Sequence, residues 1–297
     1  MRTYLECYSC FISQALTISR KTGMSEEEQR RILNNVALML PGLSLEAKPA
    51  EIAKQFNAMI REETGVDDPY YEEKRVSNEQ ALLLMKPLEE KINSSGTPLL
   101  TALEYAIAGN SIDFGAFHQL NIEKTIAEKV AEENAHIKNE DPSLFAYSRL
   151  RDDLGRSSSL LYITDNAGEL VFDFLLLRTI KKLYPKLHIT VALRNRPILN
   201  DATLEDARQI GMDKEFTVIS SGSEAPGTIL EECSSAFTAL FNNADTVISK
   251  GQGNYETLSD SPRKVFLLLR AKCAVVARHT GSNKGDILLI EGGPESE

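Results

Sequence analysis

Residues 159–169 read Ser159-Leu160-Leu161-Tyr162-Ile163-Thr164-Asp165-Asn166-Ala167-Gly168-Glu169. An unbroken apolar run stops at Asp-Asn-Ala-Gly. A short run without polar alternation, closed by turn residues, is the mark of a strand covered on both faces. Similar runs follow at 188–193, 216–220, 246–249 and 265–269, and 286–290 reads as a last strand at an edge. Helical spacing separates most of them, at 169–183, 204–210 and 227–241. Strands alternating with helices predict an α/β domain with a mainly parallel sheet.

The first half has a different period. Apolar residues recur at three- and four-residue spacing over 5–22, 25–40, 49–64 and 68–94, with shorter helices expected at 98–108 and 121–133. Ser25 and Glu28 have the spacing of a capping box, and Pro49 suits a first helical turn. The polar stretch 151–158 separates the halves. The expected organisation is a helical N-terminal domain over 1–153 and an α/β catalytic domain over 154–297. The tail from 291 reads as polar and frayed.

Composition narrows the functional classes. A net charge of −10 leaves no electrostatic footprint for nucleic acid. An anionic ligand would then need a local device: a metal, a lysine or a helix N-terminus. No stretch has the roughly 20 apolar residues of a membrane span. With no apolar leader and only four cysteines, a cytoplasmic, reducing compartment is expected. The oligomeric state is not readable.

In open parallel sheets, ligands bind beyond the carboxyl ends of the strands. Asp165, Asn166, Ala167, Gly168 and Glu169 follow the first run. Residues 194–201, from Arg194 to Asp201, follow the second; Ser220 to Ser223 follow the third; Lys250, Gly251, Gln252, Gly253 and Asn254 follow the fourth. Carboxylate and amide oxygens of this kind suit a hard divalent cation, and Asp165, Asn166 and Asp201 form a candidate metal set. Lys250 would add a positive charge for a phosphoryl oxygen, and Gly251 and Gly253 would let backbone N–H groups approach an anion. Each residue also has a plain structural reading. Asp165 and Asp201 can be helix N-caps, Lys250 a solvated charge, and Gly251-x-Gly253 a turn.

Three longer motifs carry a family resemblance: Thr164-Asp165-Asn166-Ala167-Gly168-Glu169, the segment from Arg194 to Thr203, and the segment from Ser249 to Glu256. With Cys7-x-x-Cys10 and the segment from Ala108 to Gly115, they resemble the damage-control phosphatases, also known as domain of unknown function 89. The Lys-Gly-x-Gly-Asn form is similar to the stand-alone microbial branch; the Arg-Thr-x-Lys signature of another branch is not matched. The resemblance implies a helical N-terminal region and a three-layer α/β/α domain. It implies a divalent metal (Mg2+, Mn2+, Co2+ or Ni2+) on Asp165, Asn166 and Asp201, and hydrolysis of small phosphorylated metabolites, often damaged or side-product forms. It also implies substrate contacts from Asn110 and Asp113, which otherwise read as a helix stop and a cap.

The expected chemistry places Asp165, Asp201 and Lys250 in catalytic roles, with Glu169, Arg194, Lys250, Gly251, Gly253 and Asn254 near the substrate. Asp201 or Glu169 would take the proton of an attacking water. In the alternative, Asp165 itself attacks, although Asp165-Asn166-Ala167 lacks the second Asp of an Asp-x-Asp nucleophile. Cys7-x-x-Cys10 reads as a packed pair rather than a half zinc site or redox dithiol. The four histidines are scattered and none is assigned to catalysis. Two rivals remain. A Rossmann or S-adenosylmethionine-dependent methyltransferase would want a glycine-rich first loop, and residues 165–169 hold one glycine. A non-enzymatic metal- or partner-binding protein would turn over no phosphate ester.

Overall fold

The computed structural model describes residues 1–109 and 141–294. The helix expected at 121–133, and Asn110 and Asp113, lie outside the described residues. The apolar runs are six strands: β1 (Ser159–Ile163), β2 (His188–Leu193), β3 (Thr217–Ser220), β4 (Thr246–Lys250), β5 (Val265–Arg270) and β6 (Ile287–Gly292). They form one sheet ordered β3-β2-β1-β4-β5-β6. The first five are parallel, with Leu160 opposite Ile189 on one side and Thr246 on the other. The edge strand β6 runs antiparallel to β5.

Eleven α-helices are described. In chain order they are α1 (Leu5–Lys21), α2 (Glu26–Met39), α3 (Pro49–Thr64), α4 (Tyr71–Ser94), α5 (Pro98–Ala108), α6 (Tyr147–Arg156), α7 (Glu169–Leu183), α8 (Leu204–Gln209), α9 (Ser235–Asn243), α10 (Gln252–Leu258) and α11 (Ala274–Thr280). Because side chains alternate along a strand, β1 sends Leu160 and Tyr162 to one face and Leu161 and Ile163 to the other. The first face packs against α4, α5, α6 and α7, the second against α9, α10 and α11. This is the three-layer α/β/α arrangement. A separate core, with Phe11, Ile32, Ile52 and Phe56 at its centre, joins α1, α2 and α3.

That packing cuts across the boundary expected at 153. Leu84 and Leu88 of α4, and Leu103 and Ala106 of α5, share a core with Tyr162, Phe172 and Ile248. Periodicity shows that a segment is helical but not which neighbour covers its apolar stripe, so α4 and α5 read like α1–α3.

Ser25 and Glu28 do form the capping box, and Pro49 opens α3. The single helix expected over 227–241 is instead a 3-10 turn at Leu230–Glu232 followed by α9. Ser234 ends the continuity because its hydroxyl accepts from Phe237 N at 3.2 Å, capping a new helix. The chain before it is held elsewhere, with Thr228 N bonded to Thr257 Oγ1 at 3.0 Å.

Candidate active site

Strand order reverses at β1. From there the chain builds β2 and β3 on one side, then crosses to β4, β5 and β6 on the other. Loops leaving β1 and β4 therefore diverge and open a crevice at their carboxyl ends. Asp165 leaves β1 and Gly251 leaves β4. Gly251 has φ +88°, and a Cβ there would lie 2.0 Å from Asp165 Oδ2. Only glycine permits both the left-handed backbone and the close approach. Gly251→Ala is expected to displace the Asp165 carboxylate and add about 1–2 kcal/mol of backbone strain. Turnover of an aryl phosphate should fall at least about 100-fold, with the circular dichroism spectrum retained.

The loops after β1 and β2 are stitched together. Ala202 N donates to Asp165 O at 2.8 Å, and Ala167 N to Asn200 O at 2.9 Å, which sets Asn166 opposite Asp201. Asn166 Nδ2 donates to Asp165 Oδ2 at 2.9 Å and to Glu169 Oε2 at 3.2 Å. Asp165, Asn166 and Asp201 thus line one cleft of about 310 Å3. Neither aspartate is a helix cap. The residue at the N-cap of α7 is Gly168, and α8 is capped by Thr203, which forms a capping box with Asp206. In the same loop Leu199 is a non-glycine residue at positive φ, +49°, and its side chain packs on the core of α1–α3.

The electrostatics of the cleft are unbalanced. Burial, then the charges of Asp201 and Glu169, push the Asp165 carboxyl up to about 8. Burial also raises Asp201, while Arg194 opposes the rise by donating from Nε to Asp201 Oδ2 at 2.7 Å. A buried carboxyl held this high marks a local deficit of positive charge. Among the described residues no group of three His, Cys, Asp or Glu is arranged for a metal. The set present is two carboxylates and an amide. It fits a hard cation that completes its shell with water and phosphate oxygens.

This has a measurable consequence. A carboxyl whose folded pKa exceeds its unfolded value of about 3.9 binds its proton more tightly when folded. Its contribution to stability is present at low pH and is lost as pH rises from about 4 toward the value of about 8 at Asp165. Metal-free protein should therefore melt at a lower temperature at pH 8 than at pH 5.5. Added Mg2+ or Mn2+ should remove that slope, because a bound cation favours the ionised carboxylates. A thermal melt series in EDTA and in metal checks this.

Several residues expected around the substrate lie beneath the cleft instead. Lys250 is 1% exposed. Its ammonium donates to Ala106 O at 2.8 Å, to Asp173 Oδ1 at 2.8 Å and to Glu169 Oε1. All three protons are used within the protein, so Lys250 is neither a solvated charge nor free for a phosphoryl oxygen in this arrangement. Burial would lower its pKa, but Asp173 and Glu169 carry it above the usual lysine range. Arg194, also buried, bonds Asp201, Thr228 Oγ1 and Asn254 Oδ1. Asn254 spends its amide on Thr164 O and Lys250 O at 2.9 and 2.7 Å. These residues fix the floor of the cleft. Gly253 does line it, and a Cβ there would meet Pro226 O at 2.1 Å.

The strand-end reading stopped at the fourth strand and so missed Lys272, two residues beyond β5. Lys272 is exposed, lines the cleft, and its charge acts on both Asp165 and Asp201. Two buried supports were also missed. Asp173 of α7 accepts from Tyr162 OH at 2.7 Å as well as from Lys250. Asn78 of α4 accepts from Gly168 N at 2.6 Å and donates to Asp206 Oδ1 at 3.0 Å. Neither follows a strand, and helical spacing alone marks them as core positions. His279 pairs with the Tyr255 hydroxyl.

The family model described as "Damage-control phosphatase ARMT1-like domain" matches residues 3–288. The chain belongs to the damage-control phosphatase family. It is 33% identical over 293 residues to a damage-control phosphatase of Pyrococcus horikoshii, with 98% of each chain covered. A damage-control phosphatase of Archaeoglobus fulgidus is 35% identical over 241 residues, covering 80% of this chain and 81% of that one. An uncharacterised protein of Methanocaldococcus jannaschii is 36% identical over 294 residues, covering 96% and 94%. The crystal structure of a domain-of-unknown-function-89 protein from Pyrococcus horikoshii superposes with a TM-score of 0.87 at 31% identity, covering 98% of this chain and 99% of that one. Membership in the damage-control phosphatase family places this chain among phosphatases and confirms the sequence resemblance and the α/β/α fold. Among the described residues no helix is long and apolar enough to cross a membrane.

Proposed function

We propose that the protein is a metal-dependent phosphatase of small phosphorylated metabolites, with the reaction at the cleft between β1 and β4. The observation that carries this is the crowding of Asp165 and Asp201 in one cleft, with too little positive charge beside them. Asp165, Asn166 and Asp201 would hold a divalent cation (Mg2+, Mn2+, Co2+ or Ni2+). When bound, the cation neutralises charge that develops on the phosphoryl group. Lys272, which lines the same cleft, holds a second phosphoryl oxygen. Arg194, Lys250 and Asn254 act from below. Arg194 opposes the rise that burial imposes on the Asp201 carboxyl and fixes its Oδ2, and Lys250 fixes Glu169. Asp201 takes the proton of the attacking water, since both Glu169 oxygens are already engaged by Lys250 and Asn166.

The organic part of the substrate has a separate place. A groove of about 630 Å3 meets the cleft at Cys10, Gln14, Leu199 and Asn200. Beyond them it is lined by Ser9, Ser13, Thr17 and Tyr70, with no charged side chain among the described residues. A small, uncharged, hydrogen-bonding leaving group fits it.

A screen with a generic aryl phosphate and a metabolite panel tests the reading, first in EDTA and then with each metal. Turnover is expected only with metal. Lys272→Ala should raise KM about 10- to 100-fold, the equivalent of one charge-assisted hydrogen bond of about 1.5–3 kcal/mol. Activity that survives chelation, or survives Asp165→Ala, would overturn the proposal.

A further inference from the structure

Cys7-x-x-Cys10 takes no part in the chemistry above, and packing accounts for only half of it: Cys7 rests against the α1–α3 core, but Cys10 does not. Cys10 is exposed and Cys7 only half-buried. Both line the cleft that holds Asp165 and Asp201, and Cys273, beside Lys272, lines the same cleft. Three of the chain's four cysteines therefore meet one cavity. The fourth, Cys233, lies outside it, with its thiol donating to Ile229 O at 3.2 Å. The cysteines are not arranged as a metal cluster among the described residues.

We propose that Cys7 and Cys10 form an oxidation site for peroxide-class oxidants, closing to a disulfide in the cleft wall that shuts substrate out. A peroxide transfers one oxygen to the exposed Cys10 thiol, giving a sulfenic acid, and leaves as water. The Cys7 sulfur then attacks the Cys10 sulfur. The S–S bond forms, the S–O bond breaks, and a second water departs with the Cys7 proton. The two thiols together lose two electrons, which the peroxide gains.

The helix supplies the coupling to the cleft. Residues three apart on a regular helix have Cβ atoms about 5–6 Å apart, whereas a disulfide needs about 3.5–4.5 Å. The first turn of α1 must therefore deform. Its outside ties are the exposed Glu6–Arg278 ion pair and Tyr8 OH on Leu40 O at 3.3 Å, while Tyr4 provides no side-chain cap and Leu5 is 69% exposed. Upstream the chain is tied down, since Thr3 bonds Ala47 O through both N and Oγ1. The distortion falls on residues 4–10, of which Cys7 and Cys10 wall the cleft. Burial, followed by the Glu256, Cys10 and Cys273 charges, pushes the Cys7 thiol up. The exposure of Cys10 assigns it first attack, and half-buried Cys7 takes the resolving role.

The oxidation site stands on its own; its effect on turnover and its protection by phosphate with Mg2+ rest on the phosphatase reading. In the test, reduced full-length protein is treated with hydrogen peroxide, with and without saturating inorganic phosphate plus Mg2+, and then mapped by mass spectrometry. The peptide carrying Cys7 and Cys10 should lose two hydrogens while Cys233 and Cys273 remain open to alkylation. Phosphate with Mg2+ should slow that loss severalfold. Aryl phosphate turnover should drop at least about tenfold and return with dithiothreitol. Cys7→Ser should trap Cys10 as a sulfenic acid that dimedone captures, and Cys10→Ser should form no disulfide, each compared with its own reduced state. The proposal is overturned if Cys10 gains three oxygens with Cys7 intact, if Cys10 pairs with Cys273, or if the Cys7–Cys10 disulfide forms and turnover is unchanged. Reduced protein without turnover sinks the phosphatase reading alone, and the peptide map still decides the oxidation site.

Discussion

Asp165→Asn is expected to abolish metal-dependent turnover, by about 1,000-fold or more, while making the metal-free protein more stable. The two effects share one cause. The Asp165 carboxyl is buried against Asp201 and Glu169, and its pKa is pushed up to about 8. Burying like charges together is unfavourable, and an amide of the same shape removes the repulsion. Asparagine keeps an acceptor for Asn166 Nδ2, which now bonds Asp165 Oδ2 at 2.9 Å. It lacks the charge that would hold a divalent cation. A gain of about 1 kcal/mol corresponds to a rise in Tm of roughly 2–4 °C for a chain of this size class. Melting in EDTA reads the gain, and calorimetric titration with Mn2+ reads the lost affinity. An unchanged Mn2+ affinity would remove Asp165 from the metal set. A variant that is inactive and also less stable would mean that the carboxylate is structural.

The largest loss of stability is expected from Lys250→Met. Lys250, Glu169 and Asp173 are each no more than 1% exposed. One cation there serves two carboxylates, with Tyr162 OH as a further donor to Asp173. Methionine fills the volume but leaves the acids without a counter-charge. Breaking a buried ion pair in this way costs about 3–5 kcal/mol, or roughly 6–20 °C in Tm. The deficit should shrink as pH falls. Burial already holds the Asp173 carboxyl up near 6 against the opposing pull of Lys250. Without Lys250 it rises further, so the variant regains stability on acidification through the range above about 6. Adding Asp173→Asn to Lys250→Met should restore part of the loss, and a double-mutant cycle by chemical denaturation measures that coupling. Losses that simply add would show that the two side chains do not act as a unit.

These residues also show where sequence reading reached and where it stopped. Strand periodicity placed β1, β2 and β5 to within a residue or two, because strands covered on both faces leave unbroken apolar runs. It also placed Asp165, Asn166, Asp201 and Gly251 on one edge, because parallel strands deliver their carboxyl ends together. Burial was not legible. Lys250 and Arg194 look like surface cations in one dimension, yet each lies under the cleft with its donors taken. Their partners Asp173 and Ala106 are 77 and 144 residues away from Lys250 in the chain, a pairing no local pattern announces. Lys272 was within reach, since the strand-end rule applies to β5 as well as to β1. Cys10 was read as packing because helical spacing fixes a shared face but not whether that face is covered.

Leu199 carries a consequence for how the two parts of the molecule depend on each other. Its backbone adopts a conformation that costs a leucine about 1–2 kcal/mol, and its side chain is seated among α1, α2 and α3. Two residues later the same loop presents Asp201. The arrangement works like a ball in a socket. The three helices supply the socket, the loop supplies the ball, and the aspartate turns with it. Damage to the socket, far from any carboxylate, would be transmitted as a misaimed Asp201. The α1–α3 bundle is therefore a component of the proposed site rather than an appendage to it.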